Sequence, residues 1–214
     1  MTKTVLCFGD SNTHGAIALE ALGTSRRFDR RTRWPGILAD HLGKDWHVIE
    51  EGHSGRTTVH DDPIEGPHRN GLTVLPAILE THRPLDLVIL MLGTNDLKPR
   101  FSVTPTDISL SIERLIQVIQ TNGCGPDGAA PRILLIAPVP ITETGVLKDI
   151  FLGGARKSHD LSLLFQLVAQ KTGCSFLDAG ALTKTDPIDG VHLTKEAHSK
   201  IATAVAAKIE TEFQ

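Results

Sequence analysis

The sequence has few cysteines. Cys7, Cys124 and Cys174 form an odd, widely spaced set with no CxxC pair. That argues against a disulfide framework and for free thiols in a reducing compartment. No run approaches the roughly 18 apolar residues of a membrane span. Met1-Thr2-Lys3-Thr4 passes straight into an apolar stretch with no leader-like region, so a soluble, cytoplasmic protein is the expectation. A net charge of −3 gives no global attraction to nucleic acid or to an anionic membrane. There is no P-loop, GxGxxG or HExxH, no internal repeat and no low-complexity segment. A G-x-S-x-G elbow is missing too, because Gly52-His53-Ser54-Gly55-Arg56 falls one residue short of it.

What is present is alternation. Val5-Leu6-Cys7-Phe8, cut off by Gly9, reads as a buried strand emptying into a tight turn. Trp34-Pro35 opens a helix with Ile37, Leu38 and Leu42 on one face, ended by Gly43. Trp46-His47-Val48-Ile49 makes a short second strand. Helical spacing follows through Leu72, Leu75, Ile78 and Leu79 to His82, with Pro76 arguing for a later start. The run over 85–92 is the most apolar in the chain, which suits a central parallel strand covered on both faces. Residues 105–121 give an amphipathic helix capped by Thr104 or Thr106. A fourth strand spans 132–137, a helix 155–172, a fifth strand 174–178, and Thr194 caps a last helix. Residues 60–71 form an irregular excursion. The long loop over 138–154 carries Ile141, Val146, Leu147, Ile150, Phe151 and Leu152, which look exposed and suggest function or a subunit contact. Five strands alternating with helices predict a three-layer α/β fold with a parallel sheet, as one domain over 1–214.

In open parallel sheets, ligands bind outside the carboxyl ends of the strands. Four strand ends here carry small or polar residues: Ser11, Ser54-Gly55, Gly93-Thr94-Asn95-Asp96, and Asp189 with His192. Ser11 reads either as a helix N-cap or as a nucleophile, and a serine nucleophile needs a base within hydrogen-bond reach. His192 is the best base, since Asp189 three residues earlier can turn back onto one ring nitrogen and leave the other for Ser11. His53, His60 and His68 are alternatives, and Ser54 is a rival nucleophile. The N–H groups of Ser11 and Gly55 and the amide of Asn95 would serve a developing oxyanion. Asp10 reads as a structural carboxylate that ties down the turn. Substrate contacts are expected at Asp10, Ser54, Leu97, Phe151 and Ile188. The arginine-rich loop over 25–33 is a solvated loop or subunit contact, or else an anion site. His60-Asp61-Asp62 reads as a solvated loop rather than a metal site, and no metal or cofactor is expected. The competing function is a non-catalytic flavodoxin-like module whose turn over 9–15 holds a phosphate or flavin.

Taken together, Gly9-Asp10-Ser11-Asn12, the Gly55 turn, Gly93-Thr94-Asn95-Asp96 and Asp189-Gly190-Val191-His192 resemble the SGNH branch of the GDSL hydrolases. All four blocks occur in the family's order across nearly the whole chain. The resemblance implies a flavodoxin-like α/β/α sandwich with a five-stranded sheet in the order 2-1-3-4-5. It also implies Ser11 as nucleophile, His192 as base, Asp189 as its orienter, and an oxyanion hole of Ser11, Gly55 and Asn95. The stretches 50–58, 85–89 and 91–96, and Phe151 followed by Gly153-Gly154, are similar to the bacterial arylesterase/acyltransferase, perhydrolase-like group. That group implies octamers that pass short acyl groups to water, alcohols or peroxide, with small-molecule aryl, alkyl or carbohydrate acetate esters as substrates. Glu51 departs from the family, where many members carry Asn, and puts the usual hydrogen bonding of that turn in question.

Overall fold

Leu87–Met91 forms β3, and all five of its residues are buried. A strand apolar at every position needs cover on both faces, and β3 has it at the centre of a five-stranded parallel sheet. The computed structural model describes residues 2–213. The other strands are β1 (Lys3–Gly9), β2 (Trp46–Gly52), β4 (Arg132–Ala137) and β5 (Ser175–Asp178). Their order is β2-β1-β3-β4-β5, every pair parallel, as expected from the motif blocks.

Alternate side chains along each strand feed two cores. Leu6, Phe8, Val88, Leu90, Ile133 and Leu135 face one side with residues of α3 (Gly71–His82), α4 (Pro105–Thr121) and α5 (Gly154–Thr172). Val5, Cys7, Leu87, Ile89, Leu134 and Ile136 face the other, against α2 (Trp34–Leu42) and α6 (Lys195–Glu212). Each such aliphatic or aromatic side chain contributes about 1.5–3 kcal/mol by leaving water. Thr104 and Asp107 form a capping box on α4, and Thr194 accepts the Ala197 N–H at the start of α6.

Register then brings the functional blocks level. Gly9 lies opposite both Gly52 on β2 and Met91 on β3, so three strand ends open at one edge. A single helical turn, α1 (Ser11–His14), sits directly over that edge. It approaches so closely that a Cβ on Gly52 would lie 2.1 Å from the His14 nitrogen; only glycine fits there.

Three local expectations are corrected. The helix containing Pro76 starts at Gly71, earlier than a proline in its first turn would require. Its first N–H groups are taken by the Thr57 and Thr58 carbonyls, and Asn70 accepts the Thr73 N–H, so tertiary contacts outweigh the bond that Pro76 cannot make. The second strand runs three residues further, to Gly52, because it pairs along all of β1. In the 138–154 loop, Ile141, Leu147 and Phe151 turn inward and join the core, whereas Leu152 is 63% exposed.

The 138–154 loop is laced to the segment before α6. Thr142 donates its N–H to the Gly190 carbonyl at 2.8 Å. Gly190 has φ 74°, and a Cβ there would sit 2.0 Å from the Thr142 carbonyl oxygen. Gly190→Ala should therefore cost at least about 1 kcal/mol from the left-handed backbone alone, read as a lowered urea midpoint.

Candidate active site

Ser11 opens α1 at the end of β1. Asp10 is the N-cap, and its Oδ1 accepts the Asn12 N–H at 2.9 Å. The capping role thus falls to Asp10, and the Ser11 side chain is left facing a cleft of about 180 Å³. Across the cleft, the loop before α6 presents His192. Asp189 accepts from His192 Nδ1 at 2.5 Å, from the Val191 and His192 N–H groups at 3.0 Å each, and from the Leu19 N–H at 2.8 Å. With a carboxylate on Nδ1, that nitrogen carries the proton and Nε2 is the free, basic atom. Burial pushes the Asp189 carboxyl upward, but the His192 hydrogen bond and charge, with the backbone donors, hold it down at about 2. Asn12 ties the two sides together, donating from Nδ2 to the Val191 carbonyl at 3.2 Å.

The third side comes from β2 and β3. Gly55, at φ 76°, lines the cleft. Asn95 also lines it, and its Nδ2 gives one hydrogen to the Arg56 carbonyl at 3.1 Å. That leaves the second amide hydrogen for a ligand. Neither the Ser11 nor the Gly55 N–H donates to another group among the described residues. Arg56 itself is buried under the site, its guanidinium on the Gly9 and Glu51 carbonyls and 4.2 Å over the Phe8 ring. Burial lowers its pKa to about 10, which leaves it charged at neutral pH. Asp96 holds the same loop from the other end, accepting the Thr58 N–H at 3.1 Å and hydroxyl at 2.5 Å.

Ser11, Ser54, Gly55, Asn95, Phe151 and His192 therefore share one cleft. Three expected contacts do not. Asp10 turns beneath α1, beside Thr94 in a separate crevice. Leu97 is buried in the core, against the backbone of Gly154. Ile188 points outward, 46% exposed. His53 bonds Arg69 and His60 stacks on Phe101, and neither lines the cleft; nor does His68, which packs edge-on against His53. Asp62 staples the excursion, accepting the Ile64 and Glu65 N–H groups and Arg100. Most of the arginine loop is structural: Arg27 and Arg33 pair with Glu50, and Arg30 with Asp40. Arg26 alone of these arginines reaches the cleft. Glu51 keeps the turn in place through its backbone carbonyl to Arg56, while its carboxylate meets His82.

Residues 7–200 match the model of the GDSL-like lipase/acylhydrolase family. The chain belongs to this family. The aryl esterase of M. smegmatis superimposes with a TM-score of 0.93 at 40% identity, over 98% of this chain and 99% of that one. Est24, a carbohydrate acetylesterase from Sinorhizobium meliloti, gives 0.94, also at 40% identity and with the same coverage. An acetylxylan esterase of Xylanibacter ruminicola is 26% identical over 96% of this chain, which spans only 43% of that relative's length. The protein is thus a GDSL-type carboxylic ester hydrolase, and none of these relatives supports the phosphate- or flavin-binding alternative.

In this GDSL hydrolase Asp10 and Asp189 are pushed in opposite directions. Burial raises the Asp10 carboxyl to about 6, against the Asn12 N–H, the His192 charge and the Thr94 hydroxyl. A carboxyl whose folded pKa exceeds its unfolded 3.8 loses stability as pH rises between the two values, and the whole cost is present above about 6. Asp10→Asn removes it. The variant's advantage in a pH series of thermal melts should grow from pH 4 to 7 and then level off, at of the order of 3 kcal/mol.

Proposed function

We propose that the enzyme hydrolyses short-chain acyl esters, aryl or alkyl acetates and carbohydrate acetates among them, through an acyl-enzyme on Ser11. The Ser11 hydroxyl attacks the ester carbonyl carbon while His192 Nε2 takes its proton. The resulting oxyanion is met by the N–H groups of Ser11 and Gly55 and by Asn95 Nδ2, donors fixed before the reaction begins. Collapse expels the alcohol, which receives the proton from His192. Water, an alcohol or peroxide then enters by the same route in reverse, and His192 serves again as base. Asp189 holds the imidazole in the right tautomer and balances its positive charge. No cofactor takes part in these steps.

What supports this reading is convergence. Residues from four separate blocks, Ser11 and His192 among them, line one cleft, and the Asp189–His192 bond on Nδ1 leaves Nε2 free. The cleft volume and the inward-turned Leu147 and Phe151 favour small acyl groups. The names of the similar proteins, an aryl esterase and a carbohydrate acetylesterase, favour the same substrates. A cytoplasmic homo-oligomer, an octamer by resemblance, belongs to this proposal. The exposed Leu163 and Leu167 on α5 are in keeping with self-association, which sedimentation measures.

Ser11→Ala and His192→Ala should each lower kcat for p-nitrophenyl acetate by roughly 10⁵–10⁶-fold, and the double variant by no more, because the two act as a unit. Asn95→Ala should lower it by about 10²–10³-fold. A fluorophosphonate should label Ser11, read by peptide mapping. Label on Ser54 instead, or an active Ser11→Ala enzyme, overturns the assignment.

A further inference from the structure

The mechanism leaves three charged side chains of the cleft unused, Arg26, Glu65 and Lys98, and the last two form a pair. Glu65, from the 60–71 excursion, and Lys98, just past the turn that carries Asn95, both line the cleft. Lys98 has a side chain only 4% exposed, yet its Nζ lies 2.6 Å from Glu65 Oε1 and 3.8 Å from Asp62 Oδ2. Arg100 reaches the same two carboxylates at 3.6 and 3.1 Å, and Arg69 lies 3.7 Å from Glu65. The Glu65 carboxylate abuts the backbone at Gly55: a Cβ there would sit 2.6 Å from Oε2. The Phe151 ring is 5.8 Å from Lys98 Nζ. A nearly buried lysine costs desolvation that close pairing must offset, and here the pairing is one hydrogen bond to Glu65 with the Asp62 carboxylate beyond it.

His192 must protonate the leaving oxygen, so the alcohol portion of the ester lies on the histidine side. The acyl substituent is then directed to the opposite wall. On the esterase reading above, we propose that the Glu65–Lys98 pair is the specificity-determining stop for acyl length. The Glu65 side chain keeps 33% of its exposure and faces the cleft. An acetyl methyl stops short of it. A longer alkyl chain lies against the carboxylate and strips its remaining water without returning a hydrogen bond. The stop is therefore electrostatic as well as steric, and replacing both charges together lifts it without leaving either one unpaired.

The test is kcat/KM for p-nitrophenyl acetate, butyrate, hexanoate and octanoate with the wild type and with Glu65→Gln combined with Lys98→Met, which nearly preserves shape. The hexanoate-to-acetate ratio should rise by about tenfold or more, the scale on which pocket contacts discriminate methylenes. Glu65→Gln alone, in which Lys98 retains Asp62, should move the ratio the same way and stands in if the double variant does not fold. An unchanged ratio in a folded variant, or a wild type that cleaves octanoate as fast as acetate, overturns the stop. Fluorophosphonate labelling of Ser11 in the same preparations separates the two ideas: a labelled enzyme with an unchanged ratio defeats only the stop, and an unlabelled wild type defeats the esterase site itself.

Discussion

A single buried guanidinium fastens the ends of the strands that matter. Arg56 donates to the carbonyls of Gly9 on β1 and Glu51 on β2, lies over Phe8, and offers its own carbonyl to Asn95 after β3. Both carbonyl bonds come from one terminal nitrogen, while the buried Nε has no hydrogen-bond partner among the described residues. A charge this deep in protein is costly, and here it is offset in part by backbone carbonyls of the segments that lead to Ser11 and Gly55. The relative placement of Ser11, Gly55 and Asn95 therefore depends on one side chain that touches no substrate. Asn12 and Asp96 do the same on a smaller scale, the first joining the serine turn to the histidine loop and the second holding Thr58.

Two buried carboxylates show how surroundings divide labour. Asp189 receives four hydrogen bonds, three of them from backbone N–H groups and one from an imidazole, and stays ionised down to about pH 2. Asp10, just past β1, is fully buried and accepts one backbone N–H, so burial prevails and it holds its proton to about 6. An ionised Asp189 balances the positive charge that the proposed proton transfers place on His192 and remove in turn.

Most of the architecture was legible in the chain. The apolar run over 85–92 could only be a strand covered twice, and β4 and α4 fall on the boundaries that their apolar periodicity defines. The capping threonine of α6 was legible for the same local reason. What failed was tertiary. Pro76 is a local signal, and it lost to carbonyls supplied by Thr57 and Thr58. Leu97 and Ile188 were expected in the cleft. Yet a 3-10 turn rotates about a third of a circle per residue, which sends Leu97 into the core. Arg56 and Lys98 were not legible, since a buried cation and a surface cation are the same letter until the fold closes around them. Ser11, Gly55 and Asn95 share a cleft because each follows the end of a strand and parallel topology gathers such ends, whereas His192 reaches it from the long loop between β5 and α6.

The lacing of Thr142 to Gly190 has a mechanical meaning. The segment that roofs the cleft with Leu147 and Phe151 hangs on the same backbone hydrogen bond as the loop bearing His192. The wall of the cleft and the segment bearing His192 are therefore not independent: a change that displaces one pulls on the other through the Thr142–Gly190 bond.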